Sequence, residues 1–282
     1  MMTLDITPSH ADVLHGGRVV GTYRYRDAFK PHLHPLRTPR GHTVTLASPH
    51  DHVHHKGLMY ALRTPAVNFW EERGTADDEA VGAQRHAGFS DVVAGGDEVG
   101  FDQDLLWVST RDGAVVFRER RTVRCRSAGD PPRPAYAWTW HARLTAEHDT
   151  TLVQSQWSWP GPDGGGRRTN YHGLGIRLRR DFGGQTGGNR LVLDGAPLDA
   201  ADFTAAMGRA PREVTYTGSL DETWPVERAS VTFRQAGRNA LFVLNQQFAF
   251  MALGPSNAAP LAVTRGQTID ERYEVVVADG PP

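Results

Sequence analysis

The sequence predicts an all-β fold, a large antiparallel β-sandwich that residues 1–282 form as a single domain. Runs in which apolar and polar residues alternate recur along the chain, with glycine and proline turns between them. Helical periodicity is nearly absent, since residues 200–207 alone suggest a short helix. The length suits one all-β sandwich and allows a sizeable hydrophobic core.

The predicted strands follow one another along the chain. Residues 18–26 and 40–48 predict two short strands, and the second leads into a histidine-rich stretch. Residues 105–126 predict a hairpin whose turn is Asp112-Gly113. Further strand signatures lie at residues 135–147, 150–159, 170–182, 191–195, 230–235, 240–254 and 272–279, and a glycine-rich loop is expected at 161–168.

Composition excludes several classes of protein. The net charge of −1 gives no reason to expect nucleic acid as a partner, and no apolar run is long enough to span a membrane. The N-terminal residues lack the basic and apolar segments of a secretory signal. A single cysteine, Cys125, excludes an internal disulfide framework and is expected to be a buried, inert thiol. We therefore expect a soluble, cytoplasmic protein.

The most informative segment is residues 31–60, which contains a concentration of histidines among prolines and glycines. Its histidines are His32, His34, His42, His50, His52, His54 and His55. The prolines and glycines predict turns and short extended pieces. An extended conformation would place His50, His52 and His54 on one face and Asp51 and His55 on the other, so the sequence leaves open whether His54 or His55 faces a site. Acid–base catalysis and metal binding both remain possible functions of this segment.

Other candidate residues lie outside this segment. Glu71 follows an aromatic pair that could raise the pKa of its carboxyl, as a general acid requires, whereas Glu72 is expected to be solvated. The glycines around His172 allow close approach of the backbone to a ligand. Arg177 lies on a strand whose polar face could line a cleft. Trp138, Trp140, Trp157, Trp159 and Trp224 could supply core packing or stacking surfaces for sugars.

Several of these motifs resemble a bacterial family named PmoA-like, after methane oxygenase. The resemblance is carried by DHVHHKGLMY, NFWEE, VGAQRH and YHGLGIRL, and it covers most of the chain. Val53, Lys56 and Met59 replace the proline, arginine and aromatic residue usual in that family, and His32 and His34 stand where aromatics are common. The resemblance implies a galactose-mutarotase-like supersandwich, in which a histidine acts as general acid and a glutamate as general base on a sugar ring. Glu222 is one candidate for that glutamate.

The leading hypothesis is an enzyme that performs acid–base chemistry on a sugar or an oxidised sugar derivative, as an epimerase, lyase or glycoside hydrolase. The predicted catalytic residues are His52, His54, His55, Glu71 and His172, and the predicted substrate-binding residues are His34, Lys56, His86, Asn170, Tyr171 and Arg177. The alternatives are a metal-dependent hydrolase or oxygenase, with His50, His52 and His54 as ligands, and a non-catalytic sugar-binding protein. The sequence requires no cofactor, allows a divalent metal, and is compatible with a carbohydrate partner and a homodimer.

Overall fold

A computed structural model describes residues 1–130, 132–160, 168–184, 188–221 and 223–281. Across these residues the chain is built from strands, and its helical structure is limited to the short 3-10 turns Arg180–Phe182 and Phe203–Ala206. In chain order the strands are β1 (Met2–Ile6), β2 (His10–His15), β3 (Arg18–Arg24), β4 (His32–Leu36), β5 (Leu58–Ala61), β6 (Val67–Asn68), β7 (Ala80–Val93), β8 (Gly95–Gly96), β9 (Glu98–Ser109), β10 (Val115–Ala128), β11 (Ala135–Ala146), β12 (Thr150–Leu152), β13 (Trp159–Pro160), β14 (Arg168–Thr169), β15 (Gly173–Arg177), β16 (Arg190–Leu193), β17 (Ala196–Pro197), β18 (Glu213–Ser219), β19 (Arg228–Gln235), β20 (Ala240–Leu244), β21 (Phe250–Gly254), β22 (Leu261–Val263) and β23 (Thr268–Asp279). The predicted all-β class is confirmed.

Two large sheets form the sandwich. The nine-stranded sheet has the order β20-β21-β15-β5-β4-β3-β2-β1-β8, and the ten-stranded sheet has the order β17-β16-β18-β19-β23-β11-β10-β9-β7-β6. Neighbouring strands pair antiparallel, apart from the short parallel pairing of β6 with β7. The predicted antiparallel β-sandwich is therefore confirmed.

The hydrophobic core lies between the two sheets. Trp138 and Trp140 of β11 are separated by the half-buried Thr139 and point into this core, where each is 1% exposed. Tyr23 of the nine-stranded sheet packs against Trp140 with ring centroids 6.0 Å apart. Gly21 leaves the space that Trp138 occupies, since a Cβ there would lie 2.6 Å from the indole. Cys125 is buried in the same core, as expected.

The local predictions succeeded where strands are long. The predicted hairpin is confirmed as β9 and β10, with Gly113 in a left-handed conformation at the turn. Residues 40–48 instead form isolated bridges, and the strand predicted at 150–159 ends at Leu152. The helix predicted at 200–207 is a single 3-10 turn. In the described part of the chain, no helix has the length and apolar character needed to cross a membrane.

Candidate active site

A pocket of 510 Å³ opens beside the β20–β21 edge of the nine-stranded sheet. Its wall is formed by residues 50–55, by Glu71 and Arg73, by Trp157, Trp159 and Tyr171, and by apolar side chains of the β20–β21 hairpin. This volume lies within the range typical of small-molecule sites. The pocket brings the histidine-rich segment and the predicted glutamate to one place.

Residues 49–56, which we call the histidine turn, fold as two consecutive turns. The backbone N–H of His52 donates to Pro49 O (3.0 Å), and that of His55 donates to His52 O (2.9 Å). Gly57 closes the segment with a φ of 75°, at a point where a Cβ would lie 2.5 Å from Leu33 O. The predicted turns are confirmed, and the alternative of an extended strand with two opposite faces is wrong. Both His54 and His55 line the pocket, together with His52.

The three imidazoles of the turn pack against one another. The His55 ring stacks on His52 (centroids 4.7 Å apart) and on Phe250 (5.0 Å), and its edge meets His54 at 4.6 Å. Burial, with the nearby positive charge of Lys30, lowers the pKa of His54 to about 2. Burial also lowers the pKa of His55 well below its ordinary value. Both rings are therefore neutral at neutral pH, and each offers one N–H donor and one acceptor nitrogen.

Asp51 anchors the histidine turn to the sheet. Its carboxylate accepts hydrogen bonds from Arg177 Nη2 (3.0 Å) and Arg180 Nη2 (2.9 Å) and lies 3.3 Å from His52 Nδ1. Desolvation opposes ionisation, but its own backbone N–H, His52 and Arg177 together lower the pKa of Asp51. Asp51 is therefore ionised, and both of its carboxylate oxygens accept hydrogen bonds.

Arg177 supports the turn from behind. It is fully buried, its guanidinium lies 4.1 Å from the centroid of the Phe248 ring, and its Nη1 lies 3.3 Å from His55 Nδ1. Its side chain does not form part of the pocket wall. Arg177 was predicted to bind the substrate. In the structure it instead contacts Asp51 and His55 and supports the histidine turn.

Glu71 is the buried carboxylate of the pocket wall, and it is 3% exposed. Its Oε1 accepts a hydrogen bond from the Tyr171 hydroxyl (2.8 Å) and lies 3.3 Å from Ser155 Oγ. Its Oε2 is buried without a hydrogen-bond partner among the described residues. Burial and the charge of Glu71 raise the pKa of Tyr171, so its hydroxyl remains a donor. One carboxylate oxygen of Glu71 is therefore hydrogen-bonded, and the other has no hydrogen-bond partner among the described residues.

Glu72 binds both lysines of the chain. Its carboxylate lies 3.0 Å from Lys30 Nζ and 3.6 Å from Lys56 Nζ, and Lys30 also donates to Trp70 O. Lys56 lies a further 3.7 Å from Asp27. The expectation of a solvated Glu72 is wrong, because its side chain is 6% exposed. Lys56, predicted to bind substrate, lies outside the pocket wall and ties the histidine turn to the segment that carries Glu71.

Two predicted residues lie away from the pocket, on other parts of the sheets. His34 of β4 lies 2.9 Å from Thr45 Oγ1. His86 of β7 lies 2.9 Å from Gln103 Nε2 and packs against Tyr25, with ring centroids 4.6 Å apart. Neither forms part of the wall, so the structure does not bring them to the other candidates.

Asn170 and His172 are fully buried behind the wall. Asn170 Oδ1 accepts the backbone N–H of Ser155 (3.1 Å) and so places Ser155 beside Glu71. The His172 ring packs on Trp70 (5.3 Å), and burial lowers the pKa of His172 to about 3. The glycines were predicted to let the backbone approach a ligand. Gly173 instead lets β15 lie close to β21, since a Cβ on Gly173 would lie 2.3 Å from Leu253 O.

The histidines do not assemble as a metal site. Among the residues that the structure describes, no three His, Cys, Asp or Glu side chains are placed to hold a metal ion. His50 is exposed, with its Nδ1 3.4 Å from Arg180, while His52 and His54 meet as packed rings with centroids 5.7 Å apart. The predicted ligand set His50, His52 and His54 is therefore not formed in this structure.

Several wall residues were missed by sequence reasoning. Arg73 follows the predicted carboxylate pair, and its guanidinium lies 6.0 Å from the Trp157 ring centroid. Trp157 and Trp159, which were named from the sequence as possible stacking surfaces, line the pocket and are 50% and 39% exposed, whereas Trp224 is 93% exposed and lies outside the pocket wall. The hairpin aromatics alternate like core residues, so no local signal distinguishes them. Glu222 and residues 161–167 lie outside the described residues.

Comparison with solved structures gave several matches of low similarity, two of which are described here. One is the galactose 1-epimerase from Lactobacillus acidophilus NCFM (8% identity, TM-score 0.39, 100% of this chain and 99% of that chain). The other is a galactose mutarotase related enzyme from Lactobacillus acidophilus (7% identity, TM-score 0.36, 98% and 97%). Similarity at this level supports no conclusion about activity.

The sequence itself gives a stronger assignment to a family. No curated protein matches the chain. A family model described as a family of unknown function, DUF6807, matches residues 10–282. These comparisons do not support the PmoA-like assignment, which stays a prediction. Because the match spans nearly the whole sequence, the chain belongs to the DUF6807 family.

Proposed function

We propose that this protein is a carbohydrate-active enzyme that moves protons on a sugar or an oxidised sugar derivative, by epimerisation or elimination. One observation supports this most strongly. Glu71 lines the pocket with one oxygen held by Tyr171 and the other buried without a partner among the described residues. A buried polar atom left unpaired at a cavity is typical of a group that meets a ligand.

In the proposed reaction Glu71 is the proton acceptor. Tyr171 and Ser155 fix its Oε1, which leaves Oε2 for a sugar hydroxyl or an acidic C–H. His54 and His55 are neutral, so their N–H groups can donate hydrogen bonds to a carbonyl or ring oxygen as negative charge develops there. His52 completes this polar side of the pocket.

The aromatic part of the pocket wall suits the apolar face of a sugar. Trp157 and Trp159 present exposed indoles, and Phe242 and Phe248 add aromatic surface. Pyranose C–H faces pack on such rings, while the imidazoles and Glu71 meet the hydroxyls. The proposed ligand is therefore a small carbohydrate.

Proton transfer is favoured over glycoside hydrolysis. Hydrolases of the common type use two carboxyl groups on either side of the glycosidic bond. The pocket wall contains Asp51 and Glu71 as its carboxylates within the described residues, and Asp51 is bound by Arg177 and Arg180. Of these two carboxylates, Glu71 is the one with an oxygen that has no hydrogen-bond partner among the described residues.

The test is solvent proton exchange. The protein is incubated in D2O with aldoses, keto-sugars and uronates, and deuterium incorporation is followed by NMR and mass spectrometry. We expect the wild type to exchange a C–H of at least one sugar, and Glu71→Gln to slow this by about 100-fold or more, because the general base is lost. His54→Gln should also slow exchange, since a donor to the substrate oxygen is displaced.

Glu98→Gln is the matched control, because Glu98 is exposed on β9 and outside the pocket wall. It should exchange at the wild-type rate. Thermal unfolding of each variant separates catalytic loss from loss of fold. Saturable sugar binding without exchange would replace the proposal with the non-catalytic alternative, which the exposed tryptophans would then explain. Wild-type exchange by a folded Glu71→Gln variant would refute the assignment of the base.

A further inference from the structure

We infer that the substrate of this pocket carries a carboxylate, which Arg73 binds, so that the protein acts on sugar acids in preference to neutral sugars. The inference rests on the proposed function, because it assumes that the pocket holds a sugar. It adds a substrate class and a specificity-determining residue.

Arg73 is a cation of the pocket wall that has no carboxylate partner among the described residues. Among the described residues no Asp or Glu oxygen lies within 4.0 Å of its guanidinium, and its side chain is exposed at the pocket. Its guanidinium lies over Trp157, at 6.0 Å from the ring centroid, and both residues line the pocket. A planar guanidinium presents paired N–H donors that match a carboxylate.

The other charges around the pocket lie in ion-paired groups, apart from Glu71. Asp51 is paired with Arg177 and Arg180, which gives that group one positive charge more than it has negative charges. Lys30 and Lys56 are balanced by Glu72 and Asp27. Together with Glu71 and Arg73, the groups named here comprise five cations and four carboxylates, so their summed charge favours an anionic ligand.

The imidazoles do not supply the missing anion-binding charge. Burial keeps the pKa of His54 at about 2, and the charge of Arg73 contributes to that lowering. Arg73 and His54 line the same pocket, so one bound molecule can contact both side chains. A carboxylate at Arg73 leaves the rest of the sugar ring over the histidine turn and Glu71.

The experiment compares matched pairs of ligands that differ in one carboxylate: D-galacturonate with D-galactose, and D-glucuronate with D-glucose. Binding is followed by quenching of tryptophan fluorescence at about 0.15 M salt. We expect at least one uronate to bind wild-type protein on the order of 10-fold or more tightly than its neutral partner, because it gains a charge-assisted bidentate pair. Arg73→Gln should abolish that preference by weakening binding of the uronate much more than binding of the neutral sugar, and Arg73→Lys should restore part of it.

Arg143→Gln is the control, because Arg143 is an exposed arginine of β11 that lies outside the pocket wall. It should keep the preference for the uronate. Equal binding of acid and neutral sugar by the wild type, or a preference that survives in Arg73→Gln, would overturn the inference and leave the sugar site intact. Absence of binding by either member of both pairs would overturn this inference, whereas the proposed function fails only if proton exchange is also absent across the wider panel.

Discussion

Two buried polar clusters of this molecule differ in how completely they are hydrogen-bonded. The first, which we call the core cluster, lies between the sheets around Arg121. Its guanidinium donates to both oxygens of Glu119 at 2.7 Å, to the Tyr23 hydroxyl at 3.1 Å and to Gln84 Oε1 at 3.0 Å. Trp107 Nε1 also donates to Glu119 at 2.7 Å. The charges and donors of this cluster satisfy one another.

The cluster at the pocket leaves groups unpaired. Glu71 Oε2, Asn170 Nδ2 and both ring nitrogens of His172 are buried and have no hydrogen-bond partner among the described residues. Unpaired buried groups cost stability, and they persist where a ligand or a reaction uses them. We therefore expect the core cluster to stabilise the fold, and the unpaired groups at the pocket are consistent with the function proposed above.

The largest expected effect is on the core cluster. Arg121→Met leaves the fully buried Glu119 carboxylate without its ion-pair partner, so we expect the free energy of unfolding to fall by about 3–5 kcal/mol. Urea denaturation measures this change. A loss below about 1 kcal/mol would show that the pair does not stabilise the fold and would remove the contrast with the pocket.

The next effect is on the pH dependence of stability. The pKa of His172 falls from 6.5 to about 3 on folding, so the unfolded chain binds a proton in this interval that the folded chain does not. Stability should therefore decrease as pH falls from about 6.5, by up to roughly 1.4 kcal/mol per pH unit for this residue. Urea unfolding between pH 7 and pH 5 should show a flatter slope for His172→Gln. The exposed His148→Gln should retain the wild-type slope.

A smaller effect is expected at Tyr171. Tyr171→Phe removes the hydroxyl that donates to Glu71 Oε1 at 2.8 Å and leaves Ser155 as its neighbour. We expect a loss of about 1 kcal/mol in unfolding free energy, with slower proton exchange because the carboxylate is less well oriented. Circular dichroism melts and the exchange assay measure the two changes. A variant that loses stability but exchanges at the wild-type rate would show that the contact is structural alone.

The smallest effect is expected at Lys56. Its ion pairs with Glu72 and Asp27 are 3.6 and 3.7 Å long, and Glu72 keeps Lys30 when Lys56 is replaced. Lys56→Gln should therefore cost less than about 1 kcal/mol. Sugar affinity should stay unchanged, because the ammonium group lies outside the pocket wall. A clear loss of affinity with unchanged stability would restore the substrate-binding role predicted from the sequence.

Sequence reasoning located much of the pocket for a physical reason. His52, His54 and His55 are consecutive or nearly so, and proline and glycine around them favour turns, so a local pattern was enough to place them together. Glu71 was found because it follows two aromatic residues. Arg73 was missed because a single arginine in an acidic, polar loop has no distinguishing local pattern.

The strand pattern alone determined the all-β class, since alternation with period two and turn residues are local properties. Only the tertiary structure determined whether each polar side chain is buried and which partner it binds. Arg177 and Asp51 are 126 residues apart in sequence, and Tyr171 and Glu71 are 100 apart. Burial and pairing depend on which distant strands become neighbours. The sequence therefore identified both Arg177 and Glu71 as candidate site residues. Only the tertiary structure shows that Arg177 supports Asp51 and His55, and that Glu71 Oε2 has no hydrogen-bond partner among the described residues.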